Sequence, residues 1–119
     1  MKFFNIAIVG LALSSASAFA ADCAAPAVPE LPDGASASME QMLKGQKAVK
    51  AFQAANLEYM SCLEPGMTAA QTAIDEGTEG AAEKYEEIQS SYNAAVSAEE
   101  GVAGQFNTEI REYKAANPS

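Results

Sequence analysis

The stretch "LEPGMTAAQTAIDEGTEGAA", residues 63–82, separates two long apolar patterns and contains the helix breakers Pro65, Gly66, Gly77 and Gly80. Where the chain reverses within it decides the fold. Pro and Gly in succession are the strongest local punctuation, so Glu64-Pro65-Gly66 is read as the end of a first helix. Thr68-Ala69-Ala70-Gln71 then reads as a capping box that restarts the helix. Gly77 and Gly80 each weaken a helix interior by about 1 kcal/mol, so a bend or break is expected there.

Upstream, Ser38-Met39-Glu40-Gln41 is a second capping box, which sets helix one at about residues 39–63. Met42, Val49, Asn56 and Leu63 form one heptad column, and Gly45, Phe52 and Tyr59 form another. Downstream, Tyr85, Ile88, Tyr92, Ala95, Glu99, Val102, Phe106, Ile110 and Tyr113 step by three or four, as a coiled-coil seam does. Arg111 and Lys114 suit the C-terminal end of a helix dipole, and Asn117-Pro118 stops it.

The expected fold is all-α: a helical hairpin with a long second helix. Folding about Pro65-Gly66 opposes residues whose numbers sum to about 131 and sets Lys44, Lys47 and Lys50 against Glu83, Glu86 and Glu87. Helix one would be ~37 Å long and residues 69–116 ~72 Å. Residues 95–116 would then overhang with an unpartnered apolar stripe, which must be buried. Either the chain breaks at residues 97–101 into a small three-helix bundle, where Ser97 and Glu100 form another capping box, or the overhang pairs with a second copy. The long helix is favoured, because residues 93–101 hold no strong breaker. Tyr85, Ile88, Tyr92, Val102, Phe106, Ile110 and Tyr113 are accordingly the candidate interface, and Gly101 and Gly104 are spaced to permit close approach of a helix.

Residues 21–37 carry Cys23, Pro26, Pro29 and Pro32 at a spacing of three, the period of polyproline II. Ten residues from Cys23 to Asp33 span ~31 Å in that conformation. The 24 residues from Ser38 to Cys62 span ~36 Å of α-helix. With Asp33-Gly34 as the turn, an arm laid antiparallel on helix one delivers Cys23 to Cys62 within bonding reach, so an internal disulfide is expected. The same arithmetic puts Pro26 near position 56, between Tyr59 and Phe52. Pro29 falls near 50, between Phe52 and the small Gly45, and Pro32 near 43. Asn56, polar in an apolar column, is level with Pro26 and is expected to bond an arm carbonyl.

Residues 1–20 read as a secretory signal: Lys2, an apolar run from Phe3 to Leu13, and Ala18-Phe19-Ala20 as the cleavage site. The organisation is therefore a signal peptide over 1–20, an extended arm over 21–37 and a helical domain over 38–119. The expected destination is the periplasm or the extracellular space, with no membrane insertion after cleavage. Of 7 basic residues, loss of Lys2 leaves six against 16 acidic ones, a net charge near −10, which argues against nucleic acid and anionic membranes as partners.

The 119-residue chain has no histidine, and bridged cysteines leave no thiolate, so the commonest general base, nucleophile and zinc ligands are missing. No phosphate loop or calcium loop is present. The reading is non-enzymatic, with no catalytic residue, cofactor or metal site. Glu79, Glu83 and Glu87 are spaced as an ordinary solvated helix face.

Three stretches carry a resemblance: Asp22-Cys23 with its proline arm to Asp33-Gly34, Tyr59-Met60-Ser61-Cys62-Leu63, and Phe106 to Lys114. Together they resemble small exported proteobacterial helical proteins of no assigned activity. The resemblance implies an exported helical protein and transfers no mechanism. The functional expectation is a protein-interaction or structural role, with a protein partner or self-association. The alternatives are an acid-stress chaperone of the envelope and, less favoured, a divalent-cation binder using the acids of residues 75–87.

Overall fold

The computed structural model describes residues 23–118. The signal segment and its cleavage site lie outside the described residues. Two helices follow the arm: α1, Met39–Asp75, and α2, Ala81–Ala116. None of the described residues is in a strand. The Ser38–Gln41 capping box is formed in both directions, the Gln41 N–H donating to Ser38 Oγ at 3.2 Å and the Ser38 N–H to Gln41 Oε1 at 2.8 Å.

The hairpin does not turn at Pro65-Gly66. Helix α1 runs through both residues and nine further, and Thr68 to Gln71 is helix interior rather than a cap. Proline costs an internal helix its bond to the carbonyl four residues back. Here that carbonyl belongs to Ser61, which is exposed, as is Pro65, so the lost bond falls on the solvent face of the helix. Gly66 has a packing role instead, since a Cβ there would lie 3.1 Å from Ile88 Cδ1. The reversal comes at Gly77. Its φ of +73° is the left-handed conformation that ends helices, and the Gly77 and Thr78 N–H groups donate to the Ile74 and Ala73 carbonyls, each at 2.9 Å. This is the two-bond Schellman termination. Gly80, at φ +80°, then opens α2.

The later turn changes the register. The buried column Met42, Val49, Asn56, Leu63, Ala70 opposes the buried column Ala81, Ile88, Ala95, Val102, Glu109. Opposed residues sum to 151, not 131, as in Asn56 with Ala95. That pair is pinned directly: Asn56 Nδ2 donates to the Ala95 carbonyl at 2.9 Å. Asn56 thus holds α2, not the arm. The expected opposition of Lys44, Lys47 and Lys50 to Glu83, Glu86 and Glu87 is absent, and these lysines are exposed. Among the described residues the ion pair is Lys84 with Glu87 at 3.8 Å, within one turn of α2.

With 37 and 36 residues the helices match in length, so nothing overhangs. Residues 97–101 are helical, which excludes the third helix. The stripe on α2 is buried against α1 and the arm: Met42, Val49, Phe52, Val102 and Phe106 form the core, with Leu31, Ala37, Ala98, Ile110 and Tyr113 packed on it. The core sits at the open end of the hairpin, where the arm supplies a third wall.

Cys23 and Cys62 are bridged, with Cα atoms 5.7 Å apart. From there the arm runs toward the open end. Pro26 borders Ala55, Glu58 and Tyr59. Pro32, not Pro29, meets the small residue: a Cβ on Gly45 would lie 2.7 Å from Pro32 Cδ and 3.1 Å from Phe106 Cε2. Pro29 instead borders Ala98, Gly101 and Val102 of α2. The arm therefore fills the furrow between the helices and touches both.

Gly101 and Gly104 make no close helix contact, because a Cβ at either would meet nothing within 4 Å. Each is exposed in the interior of α2. Alanine at each position should therefore stabilise the protein by about 0.5–1 kcal/mol, read as a raised denaturant midpoint at unchanged slope.

Candidate functional site

The arm ends in a turn built by Asp33. Its carbonyl accepts from the N–H groups of Ser36 at 3.1 Å and Ala37 at 2.8 Å, and its Oδ1 accepts from the Ala35 N–H at 3.1 Å. These bonds reverse the chain into Ser38 and α1. They also present Gly34 to α2 so closely that a Cβ on it would overlap the Glu109 carbonyl and approach the Tyr113 nitrogen to 2.9 Å. Gly34 is buried, and its N–H donates to Glu109 Oε1 at 3.0 Å.

Glu109 is 7% exposed and stands on the apolar column of α2. Gln105, one turn earlier, donates its Nε2 to the other carboxylate oxygen. Asp33, Glu109 and Glu112 each bring a carboxylate oxygen within 4.8 Å of the other two. Glu109 and Glu112, this close, do not both ionise at their ordinary values. The Gly34 N–H holds Glu109 below its usual 4.5, helped by hydrogen bonds from Glu112 and Gln105 and opposed by desolvation. Glu112 is pushed above 4.5 by its hydrogen bond to Glu109, then by the charge of Glu109, by desolvation and by the charge of Asp33, with Arg111 pulling the other way. The two glutamates titrate as one unit.

An open groove of about 740 Å³ runs from this cluster between the arm and α2. Val28, Pro29, Leu31, Ala98 and Val102 make its apolar walls, and Asp33, Glu109 and Glu112 close one end. Val28 is 61% exposed.

The residues anticipated as an interface are placed otherwise. Ile88, Val102 and Phe106 are buried, and Tyr85, Tyr92, Ile110 and Tyr113 are half-buried, so the seam serves the hairpin itself. The large apolar side chains left most open are Val28, Met39, Leu43 and Leu57. The acids of residues 75–87 do not converge: among the described residues, the carboxylate trio is the one at Asp33, Glu109 and Glu112. Gly34, Gln105, Glu109 and Glu112 went unremarked as a site in the sequence. The available signal was Glu109 falling seven residues after Val102 and fourteen after Ala95, a carboxylate on a buried column. Among the described residues, no helix is long and apolar enough to cross a membrane. Comparison with known proteins finds no matching family model, no matching curated protein and no matching solved structure.

Proposed function

We propose that this is a non-enzymatic exported protein that acts by protein contact, offering the groove between its arm and α2 to a cationic, amphipathic segment of a partner. The observation that carries the reading is the groove's composition, apolar walls from Val28, Pro29, Leu31 and Val102 leading to three clustered carboxylates. Among the described residues, no basic side chain lines it. A lysine or arginine following an apolar residue complements both parts, and the net charge of −9 favours encounter with a basic partner. The absence of histidine and the bridging of both cysteines are in keeping with a binding role rather than catalysis. The disulfide is compatible with an oxidising compartment.

Calorimetry with a model peptide of alternating leucine and lysine tests this, with a leucine–glutamate peptide as control. Binding of the first and not the second is expected, weakened about tenfold or more by Val28→Glu, an exposed site where the substitution leaves the core intact. No heat with the cationic peptide, or equal binding by Val28→Glu, overturns the reading.

A second reading, an acid-stress chaperone, is favoured by one feature: the wall that covers the core is held by the carboxylate of Glu109. Protection of an aggregating client at pH 2–3 is its test, and failure to protect disposes of it.

A further inference from the structure

The arm is fastened at two points of different chemistry. Cys23–Cys62 is covalent and indifferent to pH. The other fastening, at the Asp33–Ala37 turn, rests on the Gly34 N–H and the carboxylate of Glu109. Asp33 belongs to the arm, while Glu109 and Glu112 belong to α2. When all three are ionised, like charges oppose each other across the very contact that holds the turn down. A single proton held between Glu109 and Glu112 removes part of that repulsion and leaves Glu109 charged toward Gly34. A second proton neutralises the acceptor of the Gly34 N–H.

We propose that Asp33, Glu109 and Glu112 form a proton-operated latch, which clamps the arm's turn onto α2 in mild acid, loosens it at neutral pH and lets it go in strong acid. The inference concerns the arm's fastening and stands whether or not the groove binds a partner.

The signs follow from the two glutamates. Of the groups that raise Glu112, Glu109 shares its helix and stays when the arm lifts, whereas the charge of Asp33 arrives with the arm, so the latched state binds this proton more tightly than the released one. That contribution grows as pH falls through the raised value toward 4.5 and is complete below it. Glu109 is lowered when latched, so its contribution is complete above 4.5 and disappears as pH falls through the depressed value. The window in which both hold brackets the ordinary glutamate value. The remaining charges around the turn do not reverse these signs. Arg111 of α2 tempers Glu112 without cancelling its upward displacement. Glu30 of the arm and Lys44 of α1 line a depression that Asp33 and Gln41 also border. Tyr113 is half-buried and packs on the core.

The experiment is amide hydrogen exchange by NMR on the oxidised protein from pH 7 to pH 2, corrected for the intrinsic pH dependence of exchange. Gly34 is the reporter, and Ile88, at the far end of the hairpin, is the control. Each pKa unit of displacement is a tenfold change in the latch equilibrium. Protection of Gly34 should rise from pH 7 to pH 4.5 and fall again below pH 3, while Ile88 does not follow the rise. Glu112→Gln, exposed and able to donate to Glu109 at any pH, should abolish the rise and hold protection high at pH 7. Asp33→Asn should shrink it. Flat protection of Gly34 between pH 7 and 4.5, an unaltered rise in Glu112→Gln, or parallel movement of Gly34 and Ile88 each overturns the latch.

Discussion

A chain carrying Cys23→Ser and Cys62→Ser melts roughly 15–30 °C below the disulfide-bonded protein. The bridge joins residues separated by 39 positions, and a loop of that size is worth about 4 kcal/mol in the chain-entropy account. Domains of this length have only about 5–15 kcal/mol in total, and each kcal/mol moves the melting point by about 4–8 °C. The effect reaches beyond chain entropy because of what the arm covers. Leu31 and Ala37 pack on the core formed by Met42, Val49, Phe52, Val102 and Phe106. Two helices alone leave that core open on one side. Without the tether, the arm is held by the contacts of Pro32 on Gly45 and of Gly34 on Glu109. Helix content at 25 °C should nonetheless be largely retained, since the Asn56 bond, the Schellman turn and both apolar columns lie outside the arm. Melting followed by circular dichroism at 222 nm, with the oxidised parent alongside, measures this. A difference of only a few degrees would mean that the arm contributes little to the folded state.

The arm and its buckle were legible in the sequence because they rest on fixed dimensions. Rise per residue is a property of the backbone, so the spacing from Cys23 to Cys62 could be tested against two helices of known pitch. Pro32 was placed near position 43 and packs at Gly45. The turn was misread because local punctuation competes with a tertiary pattern. Pro65 is a strong breaker taken alone. The column through Met42, Val49, Asn56 and Leu63, however, continues to Ala70, and burying it against Ala81, Ile88, Ala95 and Val102 outweighs one lost hydrogen bond on an exposed face. Alanine is a faint apolar signal, so Ala70 and Ala81 did not announce that continuation. Once the turn moves to Gly77, the overhang vanishes and with it the reason to expect a seam for a second copy. The carboxylate cluster was illegible for a different reason. Glu109 reads as a solvent position on an apolar stripe, and the group that makes its burial tolerable, the Gly34 N–H, lies 75 residues away.

Gly34→Ala should displace the arm's turn and bring about the second large loss of stability. The φ of Gly34 lies outside the left-handed region, so the requirement for glycine here is one of space. An added Cβ would overlap the Glu109 carbonyl and crowd the Tyr113 nitrogen, both of them backbone atoms inside a continuous helix. Neither can rotate away as a flexible side chain would. The turn must lift instead, and overpacking of this kind typically costs about 1–3 kcal/mol. Lifting also withdraws the N–H from Glu109 Oε1, leaving a 7% exposed carboxylate with Gln105 as its donor beside Glu112. The groove loses its carboxylate end at the same moment, because Asp33 moves with the turn. Gly34→Ala should therefore melt roughly 5–20 °C below the parent, a range set by the cost of overpacking and the usual shift per kcal/mol. It should also lose the pH-dependent protection around residues 33–37, whereas Gly101→Ala, with open space around its Cβ, should melt at or above the parent. A Gly34→Ala protein that melts with the parent and keeps the turn protected would show that the arm can settle on α2 without this close approach, and the contact between Gly34 and Glu109 would then cease to be what holds the arm's free end.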